Sequence, residues 1–69
     1  MDVRECLKNA IEDLGYKQVS VAEKIGMSEQ QISDIVNKRR KLDANEMIDL
    51  CNAMNITPDK LLMYGIKSQ

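Results

Sequence analysis

An all-α fold, a compact five-helix bundle built around a helix-turn-helix, is predicted by three features of this 69-residue chain. Apolar residues recur every three or four positions, and no run alternates as a strand does. Capping residues open four of the apolar stripes (Asp2, Ser28, Asp43 and Thr57). Between them, residues 17–41, KQVSVAEKIGMSEQQISDIVNKRRK, read as a short helix, a glycine turn and a second helix that runs into a basic end.

The first helix starts at Asp2, with Glu5 three residues on in a capping-box-like spacing. Val3, Cys6, Leu7, Ala10, Ile11 and Leu14 form one stripe at i, i+3, i+4, i+7, i+8 and i+11, and Gly15 closes it. Arg4, Lys8, Asn9, Glu12 and Asp13 fall on its solvated faces. The second helix runs to Ile25 with Val21 and Ala22 inward; Gly26 supplies the φ > 0 turn, and Ser28 caps the third helix. Lys41 and Leu42 connect to a fourth helix, capped by Asp43 with Glu46 and carrying Met47, Leu50, Cys51 and Met54 before Asn55 ends it. Thr57 and Pro58 open the fifth, in which Leu61 and Leu62 face inward.

Length and charge narrow the function. One core fits in 69 residues, so residues 1–69 are expected to form a single domain, with the helix-turn-helix at about 17–37. The net charge of −1 is laid out unevenly. Residues 1–36 carry 4 basic and 7 acidic groups, residues 37–41 carry 4 and 0, and residues 42–69 carry 2 and 4. An anionic partner must therefore meet Lys38, Arg39, Arg40 and Lys41; the alternative is a solvated loop.

Catalysis and metal binding find no support. The chain has no histidine, no Gly-rich phosphate loop and two cysteines far apart, Cys6 and Cys51, which read as buried thiols in a reducing compartment. No cofactor, metal or small-molecule ligand is expected, and the protein is expected not to be an enzyme. With no signal segment at the start and no 18-residue apolar run, it reads as soluble, cytoplasmic and without a membrane role.

The third helix points to nucleic acid. At about 100° per residue, Ile32, Ile35 and Val36 face one way, so Gln30, Ser33, Asp34 and Asn37 project the other way. Gln30, Gln31, Ser33 and Asn37 carry amide and hydroxyl groups that both donate and accept, as base edges require. Gln30 is the leading reader, because a glutamine amide bonds adenine N6 and N7 together; an idle surface glutamine is the alternative. Glu29 and Asp34 either meet a donor such as cytosine N4 or act as negative discriminators; Glu29 alternatively serves the helix dipole from the first turn, and Asp34 leans slightly towards DNA.

The chain resembles the five-helix DNA-binding domain of the phage lambda and 434 repressor and Cro proteins and of xenobiotic-response-element type bacterial regulators. Gln18, Ala22, Ile25, Gly26, Ser28, Ile32 and Ser33 carry the likeness, with the closing run Ile56-Thr57-Pro58-Asp59-Lys60-Leu61-Leu62. It departs at Val36, Lys38 and Leu42, where family members commonly have an acidic residue, a glycine and a proline. The resemblance implies that Glu29, Gln30 and Asp34 stand at base-reading positions and that Gln18 holds a phosphate. Asn37, Lys38, Arg39, Arg40 and Lys41 would then anchor the backbone, and Ser28 completes the expected DNA-contacting set.

The expected function is a sequence-specific transcriptional regulator, a repressor binding double-stranded DNA at a palindromic operator as a homodimer. Met63, Tyr64, Gly65 and Ile66 leave apolar side chains with little chain left to cover them, a dimer surface unless the terminus folds back on the first helix. The alternative function is a protein-interaction or antitoxin-like module.

Overall fold

The computed structural model describes residues 2–65 and contains five helices, with no strand among the described residues: α1 (Val3–Asp13), α2 (Gln18–Ile25), α3 (Glu29–Val36), α4 (Ala44–Ala53) and α5 (Pro58–Met63). The all-α bundle expected from the apolar spacing is the observed fold.

Each helix begins where a side chain can satisfy the free amides of a first turn, α2 excepted. Ser28 and Asp43 form reciprocal capping boxes with Gln31 and Glu46, and Thr57 accepts from the Lys60 amide ahead of Pro58. Asp2 behaves differently from its spacing. Its carboxylate accepts from the Arg4 amide and pairs with the Arg4 guanidinium, so Glu5 does not close a box. That guanidinium holds the Asp2 carboxyl down at about 2.

Helices α1 to α4 all stop in the same way. A residue with positive φ follows each last turn: Gly15, Gly26, Lys38 and Asn55. The amide of the next residue then reaches back to the helix, Tyr16 to Ile11, Met27 to Ala22, Arg39 to Asp34 and Ile56 to Cys51. This is the Schellman closure, which consumes carbonyls that would otherwise lack donors. Glycine and asparagine were readable as stops in three of these places; Lys38 was not.

The core draws Cys6, Leu7, Ala10 and Ile11 from α1, Val21 and Ala22 from α2, and Ile32, Ile35 and Val36 from α3, with Leu50, Cys51, Met54 and Leu61 from the C-terminal half. Helix α3 packs on α1 and α2, while α4 bridges α2 and α5. Tyr16 and Lys24 tie α2 to the end of α4: Lys24 Nζ sits 5.3 Å from the Tyr16 ring and donates to the Ala53 carbonyl, and the Tyr16 hydroxyl donates to that of Met54. Burial raises the pKa of both cysteine thiols, neither of which is in a disulfide.

At the C-terminal end the chain differs from its periodicity. Leu62 was expected inside, yet it is 38% exposed, as is Leu14 at the end of α1 to a similar degree. Tyr64, expected to lie uncovered, is buried instead. Six residues make under two turns, so the inward stripe passes from Leu61 to Tyr64 and Leu62 falls outside it. Asn9 Nδ2 donates to the Tyr64 carbonyl at 3.1 Å, so the segment folds back on the first helix and Asn9 and Arg4 are half-buried contacts rather than open surface. Met63 remains 66% exposed, and Ile66 lies outside the described residues.

Candidate nucleic-acid interface

The outer face of α3 is produced by the burial of its inner face. Ile32 and Ile35 are fully enclosed and Val36 nearly so, which fixes the helix's rotation and turns Glu29, Gln30 and Asn37 to solvent. Ser33 and Asp34 are half-buried along its flank. At the start, Ser28 Oγ accepts the Gln31 amide at 3.1 Å and Gln31 Oε1 accepts that of Ser28 at 2.9 Å. Gln31 thus spends its carbonyl on the cap. Glu29 occupies the first turn, where its charge meets the positive end of the helix dipole.

Two side-chain contacts organise the exposed face. Gln30 Nε2 donates to Asp34 Oδ1 at 2.9 Å, and Asn37 Nδ2 donates to the Ser33 carbonyl and hydroxyl at 2.8 and 3.2 Å. The first contact continues past the helix. Arg39 Nε donates to the same Asp34 oxygen at 3.0 Å, because the left-handed Lys38 swings the chain back over the last turn.

The basic segment is fastened down by acidic partners. Lys38 pairs with Glu5 of α1, Arg39 with Asp34 of α3 and Arg40 with Glu46 of α4. The Arg40 carbonyl also accepts from Arg4 Nη1, so the loop is held from two sides. The Arg40 guanidinium beside Glu46 lowers the carboxyl's pKa and its own is raised in return. Nothing in local spacing joins Glu5 to Lys38, 33 residues away, and Glu46 shows itself in the sequence only as a capping-box partner.

Of the expected contact residues, the structure brings Gln30, Asp34 and Arg39 into one connected group and Ser33 and Asn37 into another. Ser28 is engaged in the cap. Glu29 and Lys41 are exposed and make no side-chain hydrogen bond or ion pair among the described residues, and Gln18 is half-buried at the first position of α2. The amides of that first turn have no side-chain cap. An exposed pair of the Lys38–Glu5 kind stabilises a protein by about 0–1 kcal/mol, so an incoming phosphate can replace that carboxylate at little cost, while the Arg39 pair with Asp34 leaves the Nη edge of Arg39 open. No described helix is long and apolar enough to cross a membrane, and no acidic or cysteine cluster among the described residues could hold a metal ion.

The helix-turn-helix family matches residues 7–61, most of the chain. No curated protein matches it. The crystal structure of the clp gene regulator ClgR from C. glutamicum is similar in fold, with a TM-score of 0.87 at 18% sequence identity, covering 99% of this chain and 88% of that one. Family, helix order and the likeness to lambda-repressor-type domains agree, and the chain belongs to the helix-turn-helix family of DNA-binding transcriptional regulators.

Proposed function

We propose that residues 1–69 act as one sequence-specific DNA-binding domain, that α3 enters the major groove, and that a dimer reads a palindromic operator to repress transcription. The observation that carries this reading is the pairing of a firmly seated α3, its amide-bearing face exposed, with a basic segment immediately after it. Gln30 is suited to adenine through its amide, Ser33 and Asn37 to bases or sugar-phosphate at the groove edge, and Glu29 to a cytosine amino group. Gln18 and the uncapped first turn of α2 suit a phosphate, as do Lys38, Arg39 and Lys41; Arg40 adds positive potential from behind its pair with Glu46.

One small domain reaches few bases, so useful affinity calls for two half-sites about 34–36 Å apart. The exposed Leu62 and Met63 on α5 offer an apolar surface for the second copy. Occupying an operator blocks polymerase by exclusion and needs nothing beyond the DNA contact, which favours repression. The similar structure of a gene regulator supports the same class of function.

Selection of bound sequences from a random DNA pool tests specificity and symmetry together. An enriched inverted repeat is the expected result. Absence of any DNA binding at low salt would overturn the reading and favour a protein-interaction or antitoxin-like role for the same face.

A further inference from the structure

Asp34 stands where the two halves of the interface meet. Its Oδ1 accepts from Gln30 Nε2 at 2.9 Å and from Arg39 Nε at 3.0 Å, while its main-chain carbonyl accepts the Arg39 and Arg40 amides at 2.7 and 3.2 Å. The Asp34 side chain is 30% exposed, against 59% for Arg39. One carboxylate oxygen therefore orients a group on the helix face and a group beyond the helix end.

Each contact removes a freedom that binding would otherwise have to remove. A solvent-exposed glutamine samples many rotamers and both amide orientations. With one N–H committed to Asp34, Gln30 keeps its carbonyl oxygen and its second N–H in a fixed order, and that is the donor–acceptor pair adenine N6 and N7 require. Arg39 with Nε committed keeps the Nη1 and Nη2 edge, the fork that matches two phosphate oxygens. The pair with Arg39 also neutralises the Asp34 charge, which would otherwise repel DNA.

We propose that Asp34 is a positioning residue that couples base reading by Gln30 to phosphate anchoring by Arg39, and is not itself the base contact. The inference rests on α3 entering the groove. Its oxygen is already shared by two donors, and a half-buried side chain on the flank of α3 reaches less far than exposed Gln30.

A mutant cycle on the selected operator tests this, using Asp34→Ala, Asp34→Asn, Gln30→Ala, Arg39→Ala and the pairs Asp34→Ala/Gln30→Ala and Asp34→Ala/Arg39→Ala, each checked by thermal melting. Asp34→Ala should reduce preference at the base pair read by Gln30 by about tenfold, and lower the salt slope by about one unit per chain as Arg39→Ala does. In each double variant Asp34→Ala should add little to the loss read by the partner already removed, base preference with Gln30→Ala and salt slope with Arg39→Ala. Asp34→Asn keeps an acceptor oxygen without the charge, so the base preference should return while the salt slope stays low. Full additivity with Gln30→Ala, or relaxed preference at a different base pair, would overturn the proposal and make Asp34 a direct reader. If the wild-type protein selects no sequence, the DNA reading fails and takes the proposal with it, an outcome distinct from selective binding with additive losses.

Discussion

Arg40 Nη2 lies 2.8 Å from Glu46 Oε2, and the Arg40 carbonyl accepts from Arg4 Nη1 at 3.3 Å, so this arginine fastens the basic segment to α4 and α1 together. Its neighbour Arg39 is more exposed and touches only the flank of α3 through its side chain. Two adjacent arginines of the same charge cluster therefore have different duties. Arg39→Ala should weaken binding to operator and random DNA alike while shifting stability by less than about 0.5 kcal/mol. Arg40→Ala should lower the melting temperature by a few degrees, because Glu46 loses its partner and the loop its tie. Melting curves and binding titrations on the two variants separate the roles.

Lys38 pays for its conformation in a way glycine would not. Its φ of 65° costs a side-chain-bearing residue about 1–2 kcal/mol, offset in Lys38→Gly by about 0.4–1 kcal/mol of extra unfolded-state freedom and by the lost pair with Glu5. Lys38→Gly should leave stability unchanged or raise it by up to about 1 kcal/mol, yet bind DNA more weakly with a shallower salt slope. Denaturant midpoints and salt-dependent titrations check both halves.

Base reading and core support should separate cleanly on α3. Gln30→Ala removes an exposed amide at a position of good helix propensity, so stability should move by less than about 0.5 kcal/mol while operator binding loses about 1–3 kcal/mol and random DNA is unaffected. Ile32→Ala empties a fully buried site and should cost about 2–5 kcal/mol of folding stability, lowering all binding through loss of folded protein. An operator affinity unchanged by Gln30→Ala would remove this side chain from the reading set.

Acid should lower the stability of the fold through two carboxylates. Glu46 beside Arg40 titrates below its ordinary 4.5, and Asp2 beside Arg4 titrates at about 2 rather than 3.8. Both folded-state values are depressed, so these groups stabilise the fold above about pH 4.5 and the contribution drains away as the pH falls towards 2. Glu46→Gln should flatten the upper part of that decline and Asp2→Asn the lower part, read from melting temperature against pH.

The dimer surface is tested by placing charge on it. Met63 is 66% and Leu62 38% exposed, so Leu62→Glu with Met63→Glu should leave a helical, cooperatively melting domain. Sedimentation should shift towards monomer, and operator binding should weaken because two linked half-sites supply much of the avidity. A dimer that persists would move the interface elsewhere.

Helix positions were legible in the sequence wherever a local signal exists. Ser28, Asp43 and Thr57 mark starts, Gly15, Gly26 and Asn55 mark stops, and Ile32, Ile35 and Val36 set the face of α3. Lys38 was opaque as a stop because lysine has no preference for positive φ; tertiary pairing and the returning Arg39 amide impose it. The candidate site was legible as a list of residue types and not as a network. That Asp34 would bind both Gln30 and Arg39, or that Glu5 and Glu46 would hold Lys38 and Arg40, depends on how the chain comes back on itself. Tyr64 was misplaced for a related reason, since the stripe of a six-residue helix continues into residues beyond its last turn.

The repeated left-handed helix ending bears on how quickly the chain can fold. Each of α1 to α4 is stopped by an amide five residues from the carbonyl it meets, so those boundaries are set by segments that close in far less time than the whole chain needs to collapse. The longest closures are those of Asn9 with Tyr64 across 55 residues and of Cys6 with Leu62 across 56, where α5 docks on α1. A helical topology with mostly local contacts folds in microseconds to milliseconds, and docking of α5 is its most distant closure. Weakening that closure with Asn9→Ala should speed unfolding more than it slows folding, making the contact of α5 with α1 the gate through which the domain opens.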